Sequence, residues 1–320
     1  MKTIGVLTSG GDSPGMNACI AAVACNAARK RLRVVGILGG FDGLVEGRGT
    51  ELDEKCVSDI AGRGGTILQT SRNGDLKTRL SASDIPDTFG RLGVDSLIAL
   101  GGGGSMVAAK MVADTGFPVI AVPCTIDNDI EGTHYTIGFD TACNHSVRAA
   151  NDIMDTAESL PGRVFLIETL GGDTGHLAVA SAYAIGADAV VVPELKADIA
   201  GMCRRIKTEM DSGKACAIIV IAEGAGPSQK LADQIAEVTG RRVRPTVLGH
   251  AQRGGHPSYW DRTTARRFGE MAVQLLLDGG SGAMTALVGG SLTDVPLCIP
   301  VGASRALDVD TYHIINRSAQ

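Results

Sequence analysis

Short apolar runs alternate with longer alanine-rich or amphipathic stretches along most of this chain. Thr3–Leu7, Val34–Leu38, Ser96–Leu100 and Phe117–Val122 are apolar at nearly every position, the pattern of parallel strands buried on both faces. The stretch from Met16 to Arg31, rich in alanine, predicts a helix between the first two strands. Asp140–Leu160 carries Ala142, Val147, Ala150, Ile153, Met154, Ala157 and Leu160 at helical spacing, so a long helix is expected there. Val164–Ile167, Ala189–Val192 and Ala217–Ala222 are again short apolar strands separated by helical stretches, and Tyr259–Leu277 reads as a further helix. This alternation predicts the α/β class, with a second and smaller parallel sheet after the first.

Composition narrows the picture. A chain of 320 residues has room for two domains, each with its own core. The net charge of −5 argues against a nucleic-acid-binding surface, which shows as a basic excess, although local arginines can still bind phosphorylated ligands. Eight cysteines without a Cys-x-x-Cys pair suggest neither a zinc nor a redox motif, and their apolar surroundings fit reduced thiols in the cytosol. The N-terminus runs straight into a strand, and no apolar run approaches the roughly 20 residues that span a bilayer. A cytoplasmic protein with no membrane partner is expected.

Candidate chemistry lies where the strands end. Thr8–Gly15, which includes Gly11, breaks the first strand before a helix, and Gly39–Leu44, which includes Phe41, follows the second. Gly64-Gly65-Thr66 leads to Thr70-Ser71-Arg72, and Gly101–Gly104 with Ser105 follows the third strand. Strand, glycine turn and helix together present backbone N–H groups to phosphate, although the spacing matches neither G-x-G-x-x-G nor a P-loop. Pro123–Asp129 then places Thr125, Asp127 and Asp129 at alternate positions, which in extended backbone point the same way. That arrangement suits a general base, Asp127, with Thr125 and Asp129 managing charge and phosphate, while Asp-Asn-Asp is also good turn chemistry.

Taken together, the chain resembles the phosphofructokinase family. The resemblance rests on Gly5–Asp12, Pro14–Asn17, Gly64–Thr66, Thr125–Asp129, Thr136–Ala142, Val191–Glu194 and Val247–Gly255, in family order over almost the whole length. It implies two Rossmann-like, three-layer α/β domains with the active site in the cleft between them. One would bind the donor nucleotide (1–138 with 252–304) and the other the sugar phosphate (139–251 with 305–320). It also implies a homotetramer with active sites shared between subunits. By position, Asp127 is the base for the sugar 1-hydroxyl, supported by Thr125 and Asp129. Gly11, Phe41, Arg72, Gly102, Gly103, Gly104 and Ser105 face the donor. Arg163, Glu223, Arg244, His250 and Arg253 bind the sugar phosphate, with Arg163 and Arg244 reaching across from a neighbouring subunit. Forked arginines suit phosphate, and a carboxylate suits sugar hydroxyls.

Three departures qualify these implications. Gly103 stands where the family carries an aspartate associated with the nucleotide's Mg²⁺, which leaves Asp129 as a weak metal ligand. Gly172 stands where the family carries an arginine that stabilises the transferring phosphoryl group. Ala21, Cys25 and Glu54 replace effector-binding arginines, so no allosteric site is expected, although Lys214 remains. Gly104 is ATP-like and Cys124 fits neither donor pattern, while Ser71-Arg72-Asn73 is closer to the pyrophosphate-type loop. The expected activity is therefore transfer from ATP, with Mg²⁺, to the 1-hydroxyl of fructose 6-phosphate or a related ketose phosphate. The alternatives are an impaired sugar-phosphate-binding homologue, or a kinase using pyrophosphate or a different phosphorylated sugar.

Overall fold

Period-two alternation explains why the central strands are apolar throughout. In β1 (Thr3–Ser9), Ile4 and Val6 enter one core cluster and Leu7 enters another. The same division separates Ile98 and Leu100 from Leu97 and Ala99 in β4 (Ser96–Gly101). It also separates Ile120 and Val122 from Val119 and Ala121 in β5 (Val119–Pro123). Each face of the sheet therefore has its own helical layer. In this computed structural model, which describes residues 1–71 and 85–317, the chain divides into two compact units. One is Met1–Thr141 with Arg253–Arg305, and the other is Ala142–Gln252 with Ala306–Gln320.

The larger unit is built on a seven-stranded sheet. Its other strands are β2 (Arg33–Ile37), β3 (Gly49–Glu51), β10 (Ala283–Val288) and β11 (Ser291–Pro296), and the order is β11-β10-β5-β4-β1-β2-β3. The five central strands are parallel, and each edge carries one antiparallel strand that the apolar pattern did not separate. Strands β10 and β11 are joined by Gly289-Gly290, both with positive φ, as the favoured two-residue hairpin turn requires. On one face lie α1 (Met16–Arg29) and α9 (Tyr259–Leu277), where Ile20, Val23, Phe268 and Val273 are fully buried. On the other lie α2 (Gly40–Glu46), α3 (Ile85–Leu92) and α4 (Gly103–Ala113). Phe89 of α3 stacks on Phe117 with ring centroids 3.8 Å apart, closing this second layer. Burying a side chain such as Phe268 contributes about 2–3 kcal/mol.

Strand order reverses between β1 and β4. Chain connections leave in opposite directions from these neighbours, so the loops at their carboxyl ends part and form a crevice. Those loops hold Gly10-Gly11 and Gly102–Ser105.

The smaller unit has four parallel strands, β6 (Arg163–Thr169), β7 (Ala189–Val191), β8 (Cys216–Ala222) and β9 (Arg242–Val247), in the order β7-β8-β6-β9. Val164, Leu166 and Ile219 pack against α7 (Ile199–Asp211) and α8 (Ser228–Thr239). On the opposite face, Val220 packs with α6 (His176–Ala184) and the terminal helix Val309–Asn316, and Ile167 and Ile218 pack with Ala150 of the long helix α5 (Phe139–Ser159). Asn316 pairs with both backbone groups of Val190, at 3.1 and 3.0 Å, and so fastens the terminal helix to β7. Among the described residues, no helix is long and apolar enough to cross a membrane.

Candidate active site

A pocket of about 480 Å³ opens at the crevice of the larger unit. Its walls come from the carboxyl ends of β1, β4 and β5 and from the first turns of α2 and α4. Gly11, Gly102, Gly103, Gly104 and Ser105 line it, and so do Thr125, Asp127, Asp129 and Arg253. The N-terminus of α4 therefore faces the pocket with its unpaired backbone N–H groups. α1 begins only at Met16, beyond the lining residues, so the first glycine turn contributes its loop and not its helix. The glycine loops are tied together by side chains. Ser105 Oγ donates to the Ser9 carbonyl at 3.1 Å, and Thr70 Oγ1 donates to the Gly10 carbonyl at 2.7 Å. Arg72 lies outside the described residues.

The stretch Pro123–Asp129 is not extended, contrary to the alternation reading. The strand ends at Pro123, and the chain then bends, with Asn128 in the left-handed region at φ 51°. The cause is local hydrogen bonding. The Asp127 N–H donates to Thr125 Oγ1 at 3.2 Å, and that hydroxyl lies 3.3 Å from Asp127 Oδ2. Asn128 Oδ1 accepts from the Thr136 N–H at 2.9 Å, and Thr136 Oγ1 donates to the Thr125 carbonyl at 2.6 Å. Turn and acid pair are one device: the side-chain bonds of Thr125 and Asn128 fix the bend, and the bend carries both carboxylates to the pocket.

A second polar cluster holds the segment that follows. Asp261, fully buried in the first turn of α9, accepts from Tyr135 Oη at 2.7 Å, Gly138 N at 2.7 Å, Thr141 N at 2.8 Å and the Thr141 hydroxyl. Burial raises its carboxyl above the ordinary carboxylate value, with the hydrogen bonds from Thr141, Gly138 and Tyr135 opposing. Asp261→Ala leaves these donors unpaired, and a loss of about 3–5 kcal/mol is expected in denaturant titration. A folded value above the unfolded one means that this group's stabilisation is fully present below about pH 3.9 and is lost as pH rises through the folded value. Asp261→Asn does not titrate, so its thermal midpoint should fall further behind the parent as pH is lowered from neutral. A gap that stays constant with pH would refute this linkage.

Phe41 lines the pocket but is only 4% exposed, packed with Leu7, Ile37 and Leu44, so little of its ring face is left for stacking. The more open apolar lining is instead on α4, where Val107 and Met111 are half-buried and flank the buried Ala108. These residues continue from Gly104 at helical spacing, a signal present in the sequence but not used above. Asp42 also lines the pocket and was not singled out, and Ser71 of the loop compared with the pyrophosphate type lines it too.

The acceptor residues fall in both units. Arg253 belongs to the larger unit, where it lines the pocket and donates to the Asp12 carbonyl at 3.2 Å. Glu223 and His250, both exposed, follow the carboxyl ends of β8 and β9 in short 3-10 turns. Arg163 is the first residue of β6 and Arg244 the third of β9, so both lie toward the amino end of the smaller sheet. Six residue steps along β6 separate Arg163 from Thr169, about 20 Å at 3.3 Å per residue.

Neither departure from the family is forced by the backbone. A Cβ on Gly103 would meet only Ile130 Cδ1, at 3.9 Å, and one on Gly172 only Glu223 Oε1, at 3.7 Å. The neighbouring glycines differ. Gly171 has φ 135°, and a Cβ on Gly224 would collide with the Gly172 carbonyl oxygen. The loop at 171–172 is therefore fixed, and side chains at 103 and 172 are sterically free.

The positions that replace effector arginines are buried (Ala21), half-buried (Cys25) and exposed (Glu54). In the smaller unit, Lys214 is engaged by Asp188 and lies 3.4 Å from Glu209 Oε2. Burial pushes the Glu209 carboxyl up, but Arg317, Lys214 and Arg205 outweigh it and hold the group below its ordinary value.

The model of the family described as Phosphofructokinase matches residues 3–276. The ATP-dependent 6-phosphofructokinase of Halalkalibacterium halodurans is 42% identical, with 98% of each chain covered, and that of Natranaerobius thermophilus is 43% identical at the same coverage. Among solved structures, Pichia pastoris phosphofructokinase in the T-state superposes with a TM-score of 0.87 at 31% identity, covering 94% of this chain and 37% of that one.

Proposed function

Since this chain belongs to the phosphofructokinase family and is a phosphofructokinase-like kinase, we propose that it transfers the γ-phosphoryl group of ATP to the 1-hydroxyl of fructose 6-phosphate. One arrangement carries this reading: Asp127 and Asp129 line the same pocket as Gly11 and the N-terminus of α4. Asp127 takes the proton of the 1-hydroxyl, and the oxygen attacks the γ-phosphorus in line as ADP leaves. Thr125 orients the base through its 3.3 Å contact. Backbone N–H groups of Gly11 and Gly102–Gly104 cradle the donor phosphates. Val107, Ala108 and Met111 offer an apolar wall to the nucleobase.

Mg²⁺ is bound by one or two carboxylates together with substrate phosphates, and Asp129 in the pocket fits that need even without a carboxylate at 103. Asp129 would hold it, and the ion would neutralise charge on the donor phosphates. Glu223, His250 and Arg253 bind the sugar phosphate. The remoteness of Arg163 and Arg244 from Glu223 and His250 supports their service to a neighbouring subunit in a homotetramer. ATP is favoured as donor by the relatives' names and by Gly104. A second reading, a sugar-phosphate-binding homologue that transfers poorly, is favoured by Gly103 and Gly172.

An activity screen that crosses Mg-ATP and pyrophosphate with several ketose phosphates separates the readings. Turnover is expected with Mg-ATP and fructose 6-phosphate. Binding of fructose 6-phosphate without turnover for any pair would establish the second reading instead. ADP and phosphoenolpyruvate should leave the fructose 6-phosphate saturation curve unchanged, because the cations are replaced and Lys214 is neutralised by Asp188 and Glu209. A curve displaced by either compound would overturn that expectation.

A further inference from the structure

Edge strand β9 and its neighbour β6 carry three arginines that packing does not explain. Parallel pairing sets Arg163 opposite Arg242, and Phe165 opposite Arg244. Paired residues share a face, and alternation along β9 puts 242 and 244 on that same face. Three guanidinium-bearing residues therefore occupy one face of two adjacent strands whose spacing is about 5 Å. Cys216 continues the row on the other side of Arg163, so the row contains no carboxylate. Among the described residues none of the three forms an ion pair, whereas their neighbour Arg241 is engaged by Asp211 at 2.6 Å. Arg242 and Arg244 are exposed and Arg163 half-buried. Like charges directly opposite each other destabilise a sheet, so this arrangement calls for an anion that the chain itself does not provide.

We propose that Arg242 is the third arm of a phosphate anchor formed with Arg163 and Arg244, and that it sets a preference for acceptors whose non-reacting group is a dianionic phosphate ester. The inference rests on the acceptor reading above and adds to it a residue that neither the family motifs nor the sequence pattern singled out. Two guanidinium groups match the charge of a phosphate dianion. A third exceeds it, which penalises ligands of lower charge more steeply than a two-arginine anchor does. Guanidinium forks suit the tetrahedral oxygens of phosphate, and binding through them weakens with salt.

The test is Arg242→Gln in the full-length chain. Binding of fructose 6-phosphate is measured by calorimetry without donor, and turnover is measured with Mg-ATP. Fructose 6-sulfate serves as the monoanionic comparison. Kd and KM for fructose 6-phosphate should both rise about tenfold with little change in kcat. The phosphate-over-sulfate preference should shrink, and Arg242→Lys should recover part of the loss. Without ligand the thermal midpoint should not fall, because a like-charge neighbour of Arg163 has been removed, while the stabilisation by fructose 6-phosphate should diminish. If the parent binds fructose 6-phosphate and Arg242→Gln leaves Kd within twofold, the third-arm assignment is wrong and the acceptor reading stands. If the parent binds no fructose 6-phosphate, both fall together.

Discussion

Replacing Asp127 with alanine should lower turnover of ATP and fructose 6-phosphate by about 10³-fold while leaving fructose 6-phosphate affinity nearly intact. The size follows from the chemistry. A positioned general base contributes roughly 10²–10⁴ in rate, and the sugar hydroxyl is too weak an acid to lose its proton unaided. The selectivity follows from the geometry. Asp127 is held at a bend by Thr125, so its removal deletes a carboxylate from the pocket without opening a core cavity. Asp129 is its pocket neighbour and the obvious substitute. Asp129→Ala should therefore be compared in the same assay, and it should act mainly on Mg-ATP affinity. Steady-state kinetics with calorimetric binding separates the two. Residual activity in Asp127→Ala within tenfold of the parent would remove Asp127 from the role of base.

The double restoration Gly103→Asp with Gly172→Arg should raise kcat by at least about 100-fold. Arginines at developing phosphoryl charge are worth about 10³–10⁵ in favourable cases, and an added carboxylate gives the hard cation another oxygen ligand. Steric cost is small, since each position opens on space, with nearest contacts of 3.9 and 3.7 Å for a new Cβ. At 172 the nearest atom is a carboxylate oxygen of Glu223, which also attracts a guanidinium. The gain at 103 should be largest at limiting Mg²⁺, which assigns it to metal binding. A fall in kcat in the double variant would mean that the donor side has been rebuilt around glycine, and the ATP assignment would need revision.

Much of the architecture was legible because strands buried on two faces must be apolar throughout. Ser96–Leu100 and Ala217–Ala222 announce themselves in that way, and the helix at Tyr259–Leu277 emerged with the same bounds. The misses have a common cause. Arg242–Val247 is an edge strand, half-exposed and interrupted by Pro245, so it lacks the apolar run that marks a buried strand. The Gly289-Gly290 hairpin joins the apolar Ala283–Val288 to Ser291–Pro296, a mostly polar edge strand that gives no apolar run to mark it. The helix at Gly40–Glu46 was hidden behind its glycines. The glycine loops and Thr125–Asp129 stood out by residue type, and in the structure Gly11, Gly102–Gly104, Thr125, Asp127 and Asp129 line one pocket. The bend at Asn128 was not legible, since it depends on Thr136, eight residues away.

By itself, then, the sequence determined the α/β class, the family and the kinds of side chain available to the chemistry. Periodicity and motif are local properties that a chain carries before it folds. The tertiary structure alone decided that the loops after β1, β4 and β5 line one pocket, because their meeting depends on strand order and on the reversal between β1 and β4. It also decided that Arg242 stands opposite Arg163, since strand register is set by packing between segments nearly eighty residues apart.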